Sequence, residues 1–166
     1  MEAKTPDLSL VRRLKAKGRY QEAERRLGIW LKEDPENPRL LLEMAELLDN
    51  QGREAEAIAY YEEALGHGLD PLHRAEAYAG LGSSLRVVGR INDSHAVLSR
   101  AVDEFPQHLA LKVFLALTLE QQHNFGQALD QLLEVIVAGV QDPTLEPYRA
   151  VFQHYRSHRH DGPRGS

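Results

Sequence analysis

Gly52-Arg53-Glu54-Ala55-Glu56-Ala57 decides the fold, because copies of it recur along the chain. Gly18-Arg19-Tyr20-Gln21-Glu22-Ala23 precedes it by 34 residues, Gly89-Arg90-Ile91-Asn92-Asp93-Ser94 follows it, and His123-Asn124-Phe125-Gly126-Gln127-Ala128 is a fainter fourth copy. A fixed period of roughly 20 to 50 residues marks an array of supersecondary units, and this one suits two helices joined by a turn. Glycine opens three of the copies because such a turn needs a left-handed backbone, which glycine adopts without steric cost. In the fourth copy His123-Asn124 takes that place, and both residue types tolerate the region better than most. Asp34-Pro35 and Phe105-Pro106 mark helix endings, and Asp70-Pro71 and Asp142-Pro143 punctuate the other two units.

Working outward, the copies set units at about 4–37, 38–71, 75–108 and 109–142, with three extra residues between the second and third. Before each turn runs an apolar stripe at helical spacing: Leu10, Val11 and Leu14; Leu41, Met44, Ala45 and Leu48; Tyr78, Leu81, Gly82 and Leu85; Leu115, Ala116 and Leu119. A second stripe follows each turn: Ala23, Leu27 and Leu31; Ala57, Tyr61, Ala64 and Leu65; Ser94, Leu98, Ala101 and Val102; Ala128, Leu132, Val135 and Ile136. The small residues at Ala23, Ala57, Gly82, Ser94 and Ala128 predict closely approaching helix pairs. Residues 144–158 read as one further helix capping the array, with Tyr148, Val151, Phe152 and Tyr155 facing it and Arg149, Gln153 and Arg156 outward. Residues 159–166 read as a disordered tail.

Composition agrees with one helical domain. Hydrophobic residues make up 42% and charged residues 27% of 166, so a core is affordable and a second domain is not expected. Cysteine is absent, which removes disulfides, thiol nucleophiles and cysteine-based zinc sites, and fits a reducing, cytoplasmic setting. No uninterrupted apolar run suits a secretory signal or a membrane span, so a soluble protein without a membrane partner is expected. The net charge of −5 is unevenly spread: residues 1–19 carry six Lys/Arg against two Asp/Glu, whereas residues 20–146 carry ten against 22. An acidic chain of this kind makes nucleic acid a poor partner.

In this register Tyr78, Leu81, Gly82, Leu85, Gly89, Ala101 and Pro106 resemble the tetratricopeptide repeat (TPR) superfamily, over roughly residues 4–158. The stretch from Ala75 through Tyr155 further resembles a bacterial subgroup of small standalone TPR proteins. The resemblance implies an all-α right-handed superhelix, an α-α solenoid, whose concave face is lined by first helices and receives a protein or peptide partner. Projecting the first-helix positions beside the core stripe gives a candidate groove of Leu8, Arg12 and Lys15; Leu42, Glu43, Glu46 and Asp49; Ala79, Gly80, Ser83 and Arg86; Val113, Phe114, Leu117 and Gln121. The grading from basic through acidic to apolar suits a partner segment bearing basic and apolar residues. A carboxylate clamp is not expected, because Glu43 and Glu76 stand where that clamp would need cations.

No catalytic site and no cofactor are expected. Ser83 sits mid-helix rather than on a strand-to-helix elbow, and no glycine-rich phosphate loop or paired catalytic carboxylates are present. His154 and His158 share a helical face, yet without a carboxylate ligand beside them they read as solvated side chains, so no metal is expected. Glu43, Glu46 and Asp49 read either as a solvated face or as receivers of a partner's Lys or Arg. The alternative function is self-association as a homodimer with the groove occupied by its own or a sister chain, either through an apolar edge at Leu8, Leu10, Val11 and Leu14 or through a basic terminus lying near another subunit's acidic middle.

Overall fold

The computed structural model describes residues 6–158. Among these residues the chain forms α1 (Leu8–Ala16), α2 (Tyr20–Glu33), α3 (Pro38–Asp49), α4 (Glu54–Gly66), α5 (Pro71–Val87), α6 (Ile91–Glu104), α7 (Leu109–Gln121), α8 (Phe125–Gly139) and α9 (Arg149–His158). A single 3-10 turn, Glu146–Tyr148, precedes α9, and no strand occurs among the described residues. The expected tail and the first five residues lie outside this range. No helix in it is long and apolar enough to cross a membrane.

Each helix packs on the next, and α5 also packs on both α3 and α7, which makes the fold an all-α solenoid. The turns explain the pairing. Gly18, Gly52, Gly89 and His123 have φ of 69°, 70°, 83° and 59°. This left-handed residue lets the following amide fold back on the helix it leaves: Arg19 N–H donates to Leu14 O (2.9 Å), Arg53 to Leu48 (3.0 Å), Arg90 to Leu85 (2.8 Å) and Asn124 to Leu119 (2.9 Å). The four leucines are buried, so each turn is tied to a core residue by its backbone and its side chain together.

Most of the expected stripes form the core. In the fourth unit's second stripe only Ala128 does, since Leu132 is exposed and Val135 and Ile136 are half-buried outside both clusters, no further repeat covering that side of α8 among the described residues. Val11, Leu14, Ala23 and Leu27 continue through α3 and α4 to Leu81 and Leu85, and a second cluster joins Tyr78, Leu98, Ala101, Leu111, Leu115, Leu119 and Ala128. Ser94 Oγ donates to Gly82 O (2.7 Å) and lies 2.9 Å from Thr118 Oγ1, satisfying a polar group at a fully buried crossing. The three residues inserted after the second unit are no linker. Asp70 caps α5, Pro71 occupies its first turn, and residues 72–74 wind as an added turn that makes α5, at 17 residues, longer than the other helices.

Two expectations fail at the ends of the array. Val11 and Leu14 are buried, and Leu8 and Leu10 pack partly against the core, so the first helix offers no exposed apolar edge. At the other end α9 is turned over. Tyr148, Val151 and Tyr155 are 57%, 58% and 50% exposed, whereas Arg149 and Arg156 face α8; of the four apolar side chains only Phe152 is half-buried. The reason is the end of α8, whose last carbonyls have no intrahelical donor. The Arg149 guanidinium donates to the carbonyls of Val137 and Val140, and Arg156 Nη2 lies 2.8 Å from Glu134 Oε2, so polar satisfaction orients α9 more strongly than its apolar side chains do.

A Cβ at Gly82 would stand inside the Leu98 side chain. Gly82→Leu is therefore expected to destabilise the α5/α6 pair by about 3 kcal/mol or more and to lower Tm by about 6–12 °C. Thermal melting followed by circular dichroism checks this, and an unchanged Tm would contradict the observed crossing.

Candidate functional site

The first helices of three successive units enclose a polar pocket of about 390 Å³. Arg12 of α1, Arg39, Leu42, Glu43 and Glu46 of α3, and Leu72, His73 and Glu76 of α5 line it. Their spacing on each helix is three or four residues, which places them on one face. Four members of the sequence-derived groove, Arg12, Leu42, Glu43 and Glu46, thus meet in one place.

At the pocket floor the charges are already paired. Glu43 is only 3% exposed. Arg12 Nε and Nη2 both lie 3.1 Å from its Oε1, while Lys15 Nζ lies 3.0 Å from its Oε2 and 2.9 Å from Glu46 Oε2. Burial draws the Lys15 pKa down, but Glu46 and Glu43 outweigh it and hold the ammonium above the ordinary lysine value. Leu42 is buried as well, so it and Glu43 act as floor rather than as open contact surface.

Asp49 lies further along α3 and is also engaged. It accepts from Ser84 Oγ at 2.7 Å and from Tyr61 Oη at 3.1 Å. Burial pushes its pKa up, and these two hydrogen bonds offset only part of the shift. The Tyr61 ring reaches Asp49 by occupying the space where a side chain on Gly80 would stand, so Gly80 serves packing. The acidic run on α3, which sequence alone allowed to be a solvated face or a receiver of a partner's cations, is engaged by its own chain: Arg12 and Lys15 hold Glu43 and Glu46, and Ser84 and Tyr61 hold Asp49.

What remains open lies on α5 and the rim. Glu76 is exposed and forms no ion pair among the described residues, and Leu72 is 61% exposed beside it. Arg39 lies 3.9 Å from Asp70, whose other neighbour is His73 Nδ1 at 2.5 Å. The remaining groove candidates do not join the pocket. Ala79 and Phe114 pack against the second core cluster, Val113, Ser83 and Arg86 are half-buried, and Leu117 and Gln121 are exposed. Gln121 borders a separate depression with Ile91, Asn92, Gln122 and Asn124.

Sequence reasoning missed Arg39, Leu72 and His73 as lining residues. Arg39 follows the Asn37 cap and Pro38, which fix the start of α3 and set it one turn before Leu42 and Glu43; that signal was readable. Leu72 and His73 lie in the inserted turn and have no counterpart in the other units. No group of three or more His, Asp or Glu residues able to hold a metal occurs among the described residues. The His154 and His158 rings stack at 4.0 Å, and His158 Nδ1 is 2.9 Å from the His154 carbonyl.

Removing Lys15 leaves a buried carboxylate with Arg12 alone. Lys15→Met is expected to cost about 2–3 kcal/mol, and adding Glu43→Leu to recover most of the loss, because an apolar pair replaces a half-broken ionic one. Urea unfolding of the two variants checks this; a double variant less stable than the single would contradict it.

The comparisons with known proteins agree with this architecture. No curated protein matches the chain. Among solved structures it is similar to the crystal structure of MamA, at 19% identity and a TM-score of 0.71, covering 92% of this chain and 95% of that one. It is similar to YrrB, described as a TPR protein with an unusual peptide-binding site, at 18% identity and a TM-score of 0.67, covering 89% of this chain and 71% of that one. A third, MamA from residue 41 to its end from Desulfovibrio magneticus RS-1, is 20% identical with a TM-score of 0.67, covering 92% and 82%. At such identities the likeness shows the fold. The family model described as Tetratrico peptide repeat matches residues 38–158, most of the repeat array, and the chain belongs to that family.

Proposed function

We propose that this chain is a non-catalytic interaction module, an adaptor or assembly scaffold of the cytoplasm, that receives a protein segment on its first-helix face. The observation that carries this reading is the pocket shared by α1, α3 and α5, which no single unit could form. The repeat fold supports it, since arrays present extended surfaces for partners. YrrB, similar in fold, is a TPR protein with an unusual peptide-binding site.

The chemistry of the pocket narrows the segment. With Glu43 and Glu46 bound to Arg12 and Lys15, the carboxylate left for a partner is Glu76, and the apolar contact beside it is Leu72. A segment with a Lys or Arg next to an apolar side chain complements both. Inverting Glu46 or Asp49 would damage the framework and confuse loss of binding with loss of fold, whereas Glu76→Lys acts on an exposed side chain. In affinity capture from the native extract at low salt, Glu76→Lys is expected to lose proteins that the original chain retains, while Tm stays within about 2 °C. Retention of every captured protein by Glu76→Lys would sink the reading.

One observation favours a second reading, association of the chain with itself. Tyr148, at the end of the 3-10 turn, and Val151 and Tyr155 of α9 form an exposed apolar row at the opposite end of the array from the edge that sequence suggested. Light scattering of the full chain is expected to show a concentration-dependent rise in mass that Val151→Asp/Tyr155→Asp abolishes. A constant monomer mass at high concentration would exclude it.

A further inference from the structure

The outer helices carry a pocket of their own. Leu31 near the end of α2, Pro35 in the following turn, Leu41 of α3, and Ala59, Tyr60 and Glu63 of α4 surround about 400 Å³. Leu41 is buried and forms the floor, and Leu31 and Tyr60 pack partly against the main core, so packing that the fold already requires fixes the shape. Ala59, Tyr60 and Glu63 share one face of α4, at helical spacings of three and four.

The lining carries one carboxylate, Glu63, which is exposed and forms no ion pair among the described residues. Its sequence neighbour Glu62, and Glu33 and Glu36 on either side of Pro35, are likewise exposed and form no ion pair among the described residues. Lys32 is the only cation between Leu31 and Asn37, and α4 contains none. The ionic network on this side, Arg53 with Glu24 (2.8 Å) and Glu56 (2.7 Å), is centred before the first turn of α4 and leaves these four carboxylates unbound. The contrast with the first-helix pocket is chemical: there each floor carboxylate has a cation from its own chain, and here the cations are missing.

We infer that this pocket is a second docking surface, which takes a basic segment bearing one bulky apolar side chain. The apolar side chain enters against Leu31, Leu41 and Tyr60, and Lys or Arg beside it meets Glu63 at the rim and the exposed carboxylates next to the lining in sequence, Glu62, Glu33 and Glu36. Charge complementarity selects this occupant. An acidic segment would add like charge to four uncompensated carboxylates, and a basic segment without an apolar anchor would gain only weak, screened surface pairs. The volume suits one anchored side chain, the usual centre of a small interface. This goes beyond the reading of the first-helix face, since it uses other helices and does not require that pocket to bind anything.

The test is a titration of the isotope-labelled full chain with the capped peptide Lys-Arg-Phe-Lys-Arg, followed by nuclear magnetic resonance. Controls are the same peptide with glycine for phenylalanine, and Glu-Glu-Phe-Glu-Glu. Saturable shifts of the Leu31, Ala59, Tyr60 and Glu63 amides are expected, with binding at least about fivefold weaker for the glycine peptide and no saturation for the acidic one. Ala59→Trp, which fills the notch, and Glu62→Lys/Glu63→Lys, which inverts its rim, are each expected to weaken binding at least about fivefold without lowering Tm, since all three positions are exposed. Shifts confined to Leu72 and Glu76 would overturn this proposal while supporting the first-helix reading. Equal binding of the glycine peptide, or no saturable shift near Tyr60, would overturn it as well.

Discussion

The hydrogen bond from the residue after each left-handed turn back to a buried leucine carbonyl is the constraint on which the rest of the molecule depends. Formed at Leu14, Leu48, Leu85 and Leu119, it fixes where each first helix stops and the direction in which the second departs. That direction must be nearly the same each time, or the small residues at Ala23, Ala57, Ser94 and Ala128 would not meet the preceding helix closely enough to pack. Equal crossings then bring successive first helices side by side, and a pocket lined from α1, α3 and α5 follows from this regularity. Function in such an array is a property of the spacing between units as much as of any unit.

Electrostatics adds a second layer that the net charge conceals. The basic beginning and acidic middle of the sequence suggest two separate patches, one for each sign. In three dimensions α1 lies against α3, and Arg12 and Lys15 spend their charge on Glu43 and Glu46. The cost of burying Glu43 is offset within the chain, so these residues specify how the first unit seats on the second, in the way buried ionic groups fix register elsewhere. The charges available to other molecules are those without such compensation, among them Glu76 on α5 and Glu62 and Glu63 on α4.

The fold was legible because its determinants are local and repeated. Four copies of one turn phrase, each followed by a small residue and flanked by leucines, specify helix ends, register and core with little need for long-range information. The site was legible only in part. Helical spacing put Arg12, Leu42, Glu43 and Glu46 on one face, and the pocket brings them together, but spacing says nothing about whether a carboxylate meets a cation 31 residues earlier, as Glu43 does with Arg12. Leu72 and His73 escaped because the inserted turn breaks the period on which the reading relied. The orientation of α9 escaped for a different reason. Apolar content argued for one face, while the unmet carbonyls at the end of α8, invisible in a linear sequence, drew Arg149 to the other.

The thinning of the core from the middle of the array towards α9 gives the molecule a direction. α3 buries eight side chains, whereas α8 buries Ala128 alone and α9 none. In a chain whose units are stabilised mainly by their neighbours, such a gradient means that opening starts at one end and travels, with α9 and α8 released before α3 and α4 are disturbed. A pulling force, a protease or a chaperone meeting this protein would therefore work on it as on a zipper opened from its α9 end, and α3 and α5, which supply most of the pocket lining, sit in the part that opens last.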